Sequence, residues 1–425
     1  MDERSTKQSK FVLFLKIQMS FGGRIFFKNV LDAFYLLKFK YDPANGLLLW
    51  YDYLKEHDYF STMKPFQIIN RIPNMNILCR KASMIILLIR MQNVFPSIYN
   101  FFPRSYVLPY QVKKFIESFD RRFIIKPDCG SLGKGICVID PNQEIPEIHG
   151  LSVAQEYLNS FLISQTKFDL RIYVLVLSID PLEIYVYRDG IARFCSQKVN
   201  EDNIYSQLTN TAINHPVDSS VTKTIKNVFE TMKQDGINTD LIWKKIDNIA
   251  VLTILSSYPY LKDGINNTFK SKNYNKCFQI LGFDILIDEQ LEPHLIEVNY
   301  RPFLTTYSFP EWMVKVGMIA STISLSFPYK NMQKYISNIK DMNEEEWENY
   351  YSKHIQDNIK EKIIERKSND HFYGYRRVFP SRNKNNQKIY ELVKYFAEKM
   401  PCSTSHSLPK LLKPIKNPKV GKISF

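Results

Sequence analysis

The residues best suited to chemistry lie in two segments. The first is Gly282–Asn299, where two apolar runs, Phe283–Ile287 and His294–Val298, flank the polar stretch Asp288–Pro293 and read as a β-hairpin. If Ile287 faces His294, the antiparallel ladder sets Asp284 opposite Glu297, because paired positions keep a constant sum. Asn299 falls two residues further and shares the face of Glu297. Two carboxylates and an amide then converge among Phe283, Ile285, Ile296 and Val298, and acids on a half-buried face need a counter-charge. Magnesium, a hard cation completed by nucleotide phosphates, is the natural one. An ordinary charged hairpin edge remains the plain alternative, though it gives Asn299 no task.

The second segment runs from Arg121 to Ile136. Gly130, Gly133 and Gly135 let backbone N–H groups approach an anion, while Lys126 and Lys134 supply positive charge. A Walker A loop is excluded, because Asp128 stands where glycine is needed and Gly135 where Ser or Thr is needed. What remains is strand Phe123–Ile125, a loop, and strand Ile136–Ile139: a flap able to close over phosphates or, read alone, a tight turn.

Further elements must position these groups. Val153 followed by Gln155–Leu158 reads as an edge strand. Asp169–Ile179 reads as a long apolar strand; Lys167, Asp169 and Arg171 occupy one face and Phe168, Leu170 and Ile172 the other. Leu182–Tyr187 and Ile191–Cys195 flank Asp189-Gly190, which predicts a hairpin ending at Arg193. Thr209 and Asn210 follow in a polar stretch.

Around this β-rich middle, residues 1–118 form an N-terminal domain and 119–330 the central and catalytic part. Residues 331–425 form a helical extension and basic tail. Pro103 and Pro109 mark a connector. Phe11–Met19 is too short to span a bilayer, shows no cleavage-site pattern, and reads as a buried helix or strand. Asp341–Lys367 is charged and helix-like. The tail from Pro401 has no acid and carries lysines at 410, 413, 416, 419 and 422, which a polyproline II helix would line along one face, the alternative being a disordered, solvated tail. The net charge of +14 attracts polyanions and leaves nucleic acid, an anionic membrane and an acidic protein tail all open. Six scattered cysteines without a C-x-x-C pair suggest neither a zinc site nor a disulfide framework.

In order, Lys126–Ile136, Lys167–Val176, Ala192–Phe194, Leu208–Asn210 and Cys277–Asp284 through Asn299 make the chain resemble the tubulin tyrosine ligase-like family, nearest its glutamylase branch. Gln67–Met75 and Arg80-Lys81 extend the resemblance upstream, so that it covers about 60–330. It implies an α+β, ATP-grasp fold with an N-terminal α/β domain, and ATP and Mg2+ as cofactors. Carried over, Lys126 and Lys167 contact phosphates, with Leu132, Gly133 and Lys134 in the flap. Gln155, Glu156, Tyr157 and Leu158 hold adenine; Phe168, Asp169, Thr209 and Asn210 lie on the nucleotide side. Asp284, Glu297 and Asn299 bind magnesium. Arg193 and Lys315 receive the amino acid and Arg171 stabilises the reacting carboxylate.

The resemblance further implies ligation of free L-glutamate to glutamate side chains of acidic tubulin tails through an acyl phosphate. A cytoplasmic, microtubule or ciliary setting follows, with neither nucleic-acid binding nor membrane insertion. A glycylase, another carboxylate–amine ligase or an inactive microtubule-binding homologue are the nearest alternatives. The chain departs from the family at Asn299-Tyr-Arg-Pro-Phe303, at Lys134 where arginine is usual, and at Asn214-His-Pro216.

Overall fold

The computed structural model describes residues 14–18, 24–37, 40–41, 47–51, 60, 63–129, 133, 135–148, 150–201, 203–216, 218, 220–269, 275–326, 341–354 and 370–400. Gly130, Leu132, Lys134, residues 355–367 of the expected helix and the lysine-bearing tail lie outside the described residues.

Near the N-terminus, β1 (Phe14–Gln18), β2 (Lys40–Tyr41), β3 (Leu48–Tyr51) and β4 (Ile68–Ile69) form a parallel sheet ordered β2-β1-β3-β4, joined through α1 (Arg24–Leu36). The apolar run at Phe11–Met19 thus contributes a strand. Helices α2 (Asn76–Cys79) and α3 (Lys81–Val94) follow. Asp128 caps α3 from a distant loop, accepting the Ala82 N–H at 2.8 Å.

The second sheet contains β5 (Ser105–Leu108), β6 (Phe123–Pro127), β7 (Cys137–Ile139) and β8 (Ser152–Glu156), antiparallel in the order β5-β8-β6-β7. The strand–loop–strand arrangement around the glycines is present as β6 and β7. The strand at Val153–Gln155, however, is interior rather than an edge. Its second partner, β5, comes from the proline-flanked segment read as a connector. Phe123, Ile125, Leu108 and Ala154 pack with Phe115 of α4 (Val112–Glu117) on one face. The period of two therefore sends Ile124, Lys126 and Gln155 to the other.

The third sheet is the frame of the molecule. It contains β9 (Leu162–Ile163), β10 (Thr166–Ile179), β11 (Leu182–Phe194), β12 (Thr222–Thr224), β13 (Gln279–Ile287), β14 (Pro293–Asn299), β15 (His371–Phe372) and β16 (Tyr375–Phe379). The main path runs β14-β13-β10-β11-β16-β15, with β12 on β11 and β9 on β10. Short helices α5 (Ile204–Gln207) and α6 (Thr211–Asn214) precede α7 (Ile225–Gln234) and the 30-residue α8 (Thr239–Thr268). Then come α9 (Phe309–Ser326), α10 (Glu344–His354) and α11 (Lys384–Lys399). The fold is mixed α/β, dominated by large antiparallel sheets.

Strand β10 shows why this sheet is central. Phe168, Leu170, Ile172, Val174 and Val176 enter one core with α3 and α8, while Tyr173, Leu175 and Leu177 enter a second core with α9 and Trp347. Burial on both faces explains its aliphatic, β-branched composition.

Two further expectations differ. Asp189-Gly190 is no turn: β11 runs straight through it, and β10 and β11 are joined at Asp180-Pro181 instead. Pairing shifts between Ile172↔Gly190 and Val174↔Val186, so the residues around Asp189 form a bulge. Glycine is required there because a Cβ on Gly190 would lie 2.4 Å from the Arg171 carbonyl oxygen. The Asp189 carboxylate accepts the Gly190 and Lys226 N–H groups at 2.8 and 3.1 Å, local bonds that otherwise mimic a turn signature.

The second difference lies in the β13–β14 hairpin. Asp284 pairs with Glu297 as expected, but Ile287 faces Pro293 and Leu286 faces His294. One extra residue bulges between Leu295 and Glu297, so the register near the loop is displaced by one while the carboxylate end keeps the expected pairing.

Candidate functional site

The second and third sheets face each other across a cleft containing a large cavity of about 960 Å³ and a smaller one of about 100 Å³. Lys126, Ile136, Arg193, Asn210 and Glu297 line both. Gln155, Glu156, Tyr157, Leu158, Lys167, Asp169 and Thr209 line the small cavity; Gly133, Arg171, Asn299 and Lys315 line the large one. Phe168 is the exception, since its side chain turns into the core and stacks on Phe194.

In the small cavity the lysines have weak partners. Lys126 donates to Gln155 Oε1 at 2.8 Å, and Gln155 donates on to Ser105 Oγ at 3.3 Å. The Lys167 ammonium sits 3.9 Å from the Tyr157 ring centroid. Burial pulls both lysines down to about 8; the more distant carboxylates oppose that shift without cancelling it. Thr209 donates to Asp169 Oδ2 at 2.8 Å. Its segment is fixed by the fully buried Asn214, which donates to the Leu208 and Asn210 carbonyls and accepts from Ser196. Gly133, with φ +78°, lies against Ile213.

At the sheet centre the charges are tightly paired. Adjacent strands place Arg171 beside Asp284 and Asp169 beside Arg193. Arg171 grips Asp284 with bonds of 2.6 and 3.1 Å; Arg193 grips Asp169 at 2.7 and 2.5 Å and reaches Asp284 at 2.9 Å. Burial alone would raise the Asp284 carboxyl, but the two guanidinium groups hold it well below the usual range.

Asn299 Nδ2 bridges Asp284 Oδ2 and Glu297 Oε1 at 3.2 and 3.1 Å. Lys81, at the start of α3, lies 3.7 Å from Glu297 Oε2. Two carboxylates and an amide on one face supply the hard oxygen donors a divalent cation takes, with the amide turned to present its oxygen. This donor set fits magnesium, and Glu297, its side chain 29% exposed against 4% for Asp284, retains coordinating capacity.

Beyond Arg193 the cavity floor holds groups that the sequence did not single out. Glu311, in the first turn of α9 and buried, accepts from Lys315 Nζ at 3.1 Å, from the Tyr307 N–H at 3.3 Å and from Thr222. Lys315 also donates to the Thr305 carbonyl at 2.6 Å. The i, i+4 spacing of Glu311 and Lys315 carried this signal in the sequence. Tyr173 was equally legible as the next residue on the face of Asp169 and Arg171. Arg301, where the chain departs from the family pattern, also lines the large cavity.

The model of the tubulin-tyrosine ligase family matches residues 60–335, close to the span of the resemblance. The chain belongs to this family. It is 36% identical over 298 residues to human tubulin polyglutamylase TTLL6, covering 65% of this chain and 33% of that protein. It is 30% identical over 386 residues to a probable beta-tubulin polyglutamylase of Tetrahymena thermophila, covering 82% and 32%. Mouse tubulin monoglutamylase TTLL4 is 36% identical over 301 residues, covering 65% and 25%. The chain therefore spans about a third or less of these relatives' lengths.

Proposed function

We propose that this chain is an ATP-grasp ligase that joins glutamate to glutamate side chains of tubulin C-terminal tails. The observation carrying this reading is the pair of joined cavities, with underpaired lysines at one end and a carboxylate–amide cluster between them. Family membership and relatives named as tubulin glutamylases support it.

In this reading ATP runs from the small cavity towards the large one, its adenine at Gln155–Leu158 and its phosphates against Lys126 and Lys167. Asp284, Glu297 and Asn299 would hold magnesium, which would neutralise charge on the phosphates. An acceptor carboxylate attacks the γ-phosphoryl group, ADP leaves, and an acyl phosphate forms. Arg171 faces the negative charge that develops there. The amino group of an incoming amino acid, held by Arg193 and Lys315, then displaces phosphate and forms the amide. The net charge of +14 favours encounter with acidic tails, over about 8 Å at physiological ionic strength. Microtubules are then the place of action.

The test is incorporation of labelled glutamate, glycine or tyrosine into microtubules with ATP and magnesium, with Glu297→Gln alongside. Glutamate incorporation lost in Glu297→Gln is expected. Incorporation of glycine or tyrosine alone would move the substrate assignment, and activity undiminished in Glu297→Gln would remove the metal site.

A further inference from the structure

Tyr173 is fully buried, yet its hydroxyl has no hydrogen-bond partner among the described residues. A buried, unpaired hydroxyl is costly and rare. This one belongs to a residue lining the large cavity, on the same face of β10 as Arg171. It does not line the small cavity. Lys315, on the same floor, spends two of its three ammonium hydrogens on the Thr305 carbonyl and Glu311. The Thr222 hydroxyl is already committed to Glu311. Among the described residues the floor therefore offers the Tyr173 hydroxyl and one Lys315 ammonium hydrogen, while the Glu311 carboxylate is already occupied by three donors.

We propose that the Tyr173 hydroxyl, together with the remaining Lys315 ammonium hydrogen, receives a carboxylate of the free amino acid co-substrate. The inference rests on the ligase reading and deepens it by adding a binding residue at the co-substrate end. A cation beside a neutral O–H donor matches one carboxylate, whose two oxygens accept separately. A small amino acid can lie on this floor while a polypeptide acceptor reaches the cavity from solvent. The site's chemistry also predicts a signature that a structural tyrosine would not give. Removing the oxygen deletes an unsatisfied group from the empty protein, so stability does not fall while binding does.

The experiment is calorimetric titration of L-glutamate and of glycine into the full chain with Mg-ADP, for wild type and Tyr173→Phe, with thermal melts of both. Affinity for the bound amino acid is expected to weaken about tenfold or more in Tyr173→Phe, with ADP affinity unchanged and the melting temperature equal or higher. Equal weakening for glutamate and glycine assigns the α-carboxylate; weakening for glutamate alone assigns its side chain. Unchanged amino-acid affinity, a lowered melting temperature, or no amino-acid binding by wild type overturns the proposal. Wild type that binds an amino acid, weakened by Tyr173→Phe, yet ligates none would overturn the ligase reading while leaving this contact standing.

Discussion

The two ends of the cleft use buried charge in opposite ways. Around Asp284, Arg171, Arg193 and Asp169, each group is held by geometry alone, through bidentate bonds between neighbouring strands. Around Lys126 and Lys167, the partners are an amide and an aromatic ring, and burial draws both ammonium groups towards neutrality. The first region is complete in its ion pairs. The second has no lysine ion pair among the described residues, and in the proposed reading a phosphate chain supplies one.

The largest expected effect comes from breaking the complete end. Asp284→Ala leaves Arg171 buried without its carboxylate and removes a partner from Arg193, so stability should fall by about 3–5 kcal/mol. Chemical denaturation reads this directly, and a loss under about 1 kcal/mol would mean the pairing is solvent-compensated.

The opposite outcome is expected at the deficient end. Lys167→Met should lower ligation efficiency about 100-fold or more without lowering the melting temperature at pH 7. The sign follows from the depressed folded-state value. Between about 8 and the unfolded value of 10.5, the unfolded chain binds more protons, so the lysine's penalty is full below about 8 and relieved as pH rises. Paired activity and melting measurements test the contrast; a marked fall in melting temperature would make Lys167 structural.

How much of this was legible depends on which residues carried the information. Alternation along Lys167–Ile172 and across Asp284, Glu297 and Asn299 reports faces directly, because the side-chain period in a strand is fixed at two. The same rule failed near Pro293, where a bulge shifts the ladder by one, and no residue type in Leu295–Glu297 announces that bulge. Asp189-Gly190 carried the right composition for a turn, but its glycine answers to the Arg171 carbonyl on the neighbouring strand. The interior position of β8 depended on β5, a partner about fifty residues away. Local pattern reports faces and spacings; it does not report which distant strand comes to lie alongside. For the same reason Glu311 and Tyr173, legible by spacing, gained meaning only once the cavity brought them together.

The contrast between the two ends is tested most directly by proton linkage. Binding of Mg-ATP at pH 8 is measured by calorimetry in two buffers of different ionisation enthalpy. A phosphate chain that pairs with Lys126 and Lys167 raises their values, so binding should take up protons, to a total of about one. Affinity should then weaken as pH rises from 7 to 9, by up to about tenfold per lysine, and the uptake should shrink in Lys167→Met. Binding that releases protons, or takes up none, would contradict the account.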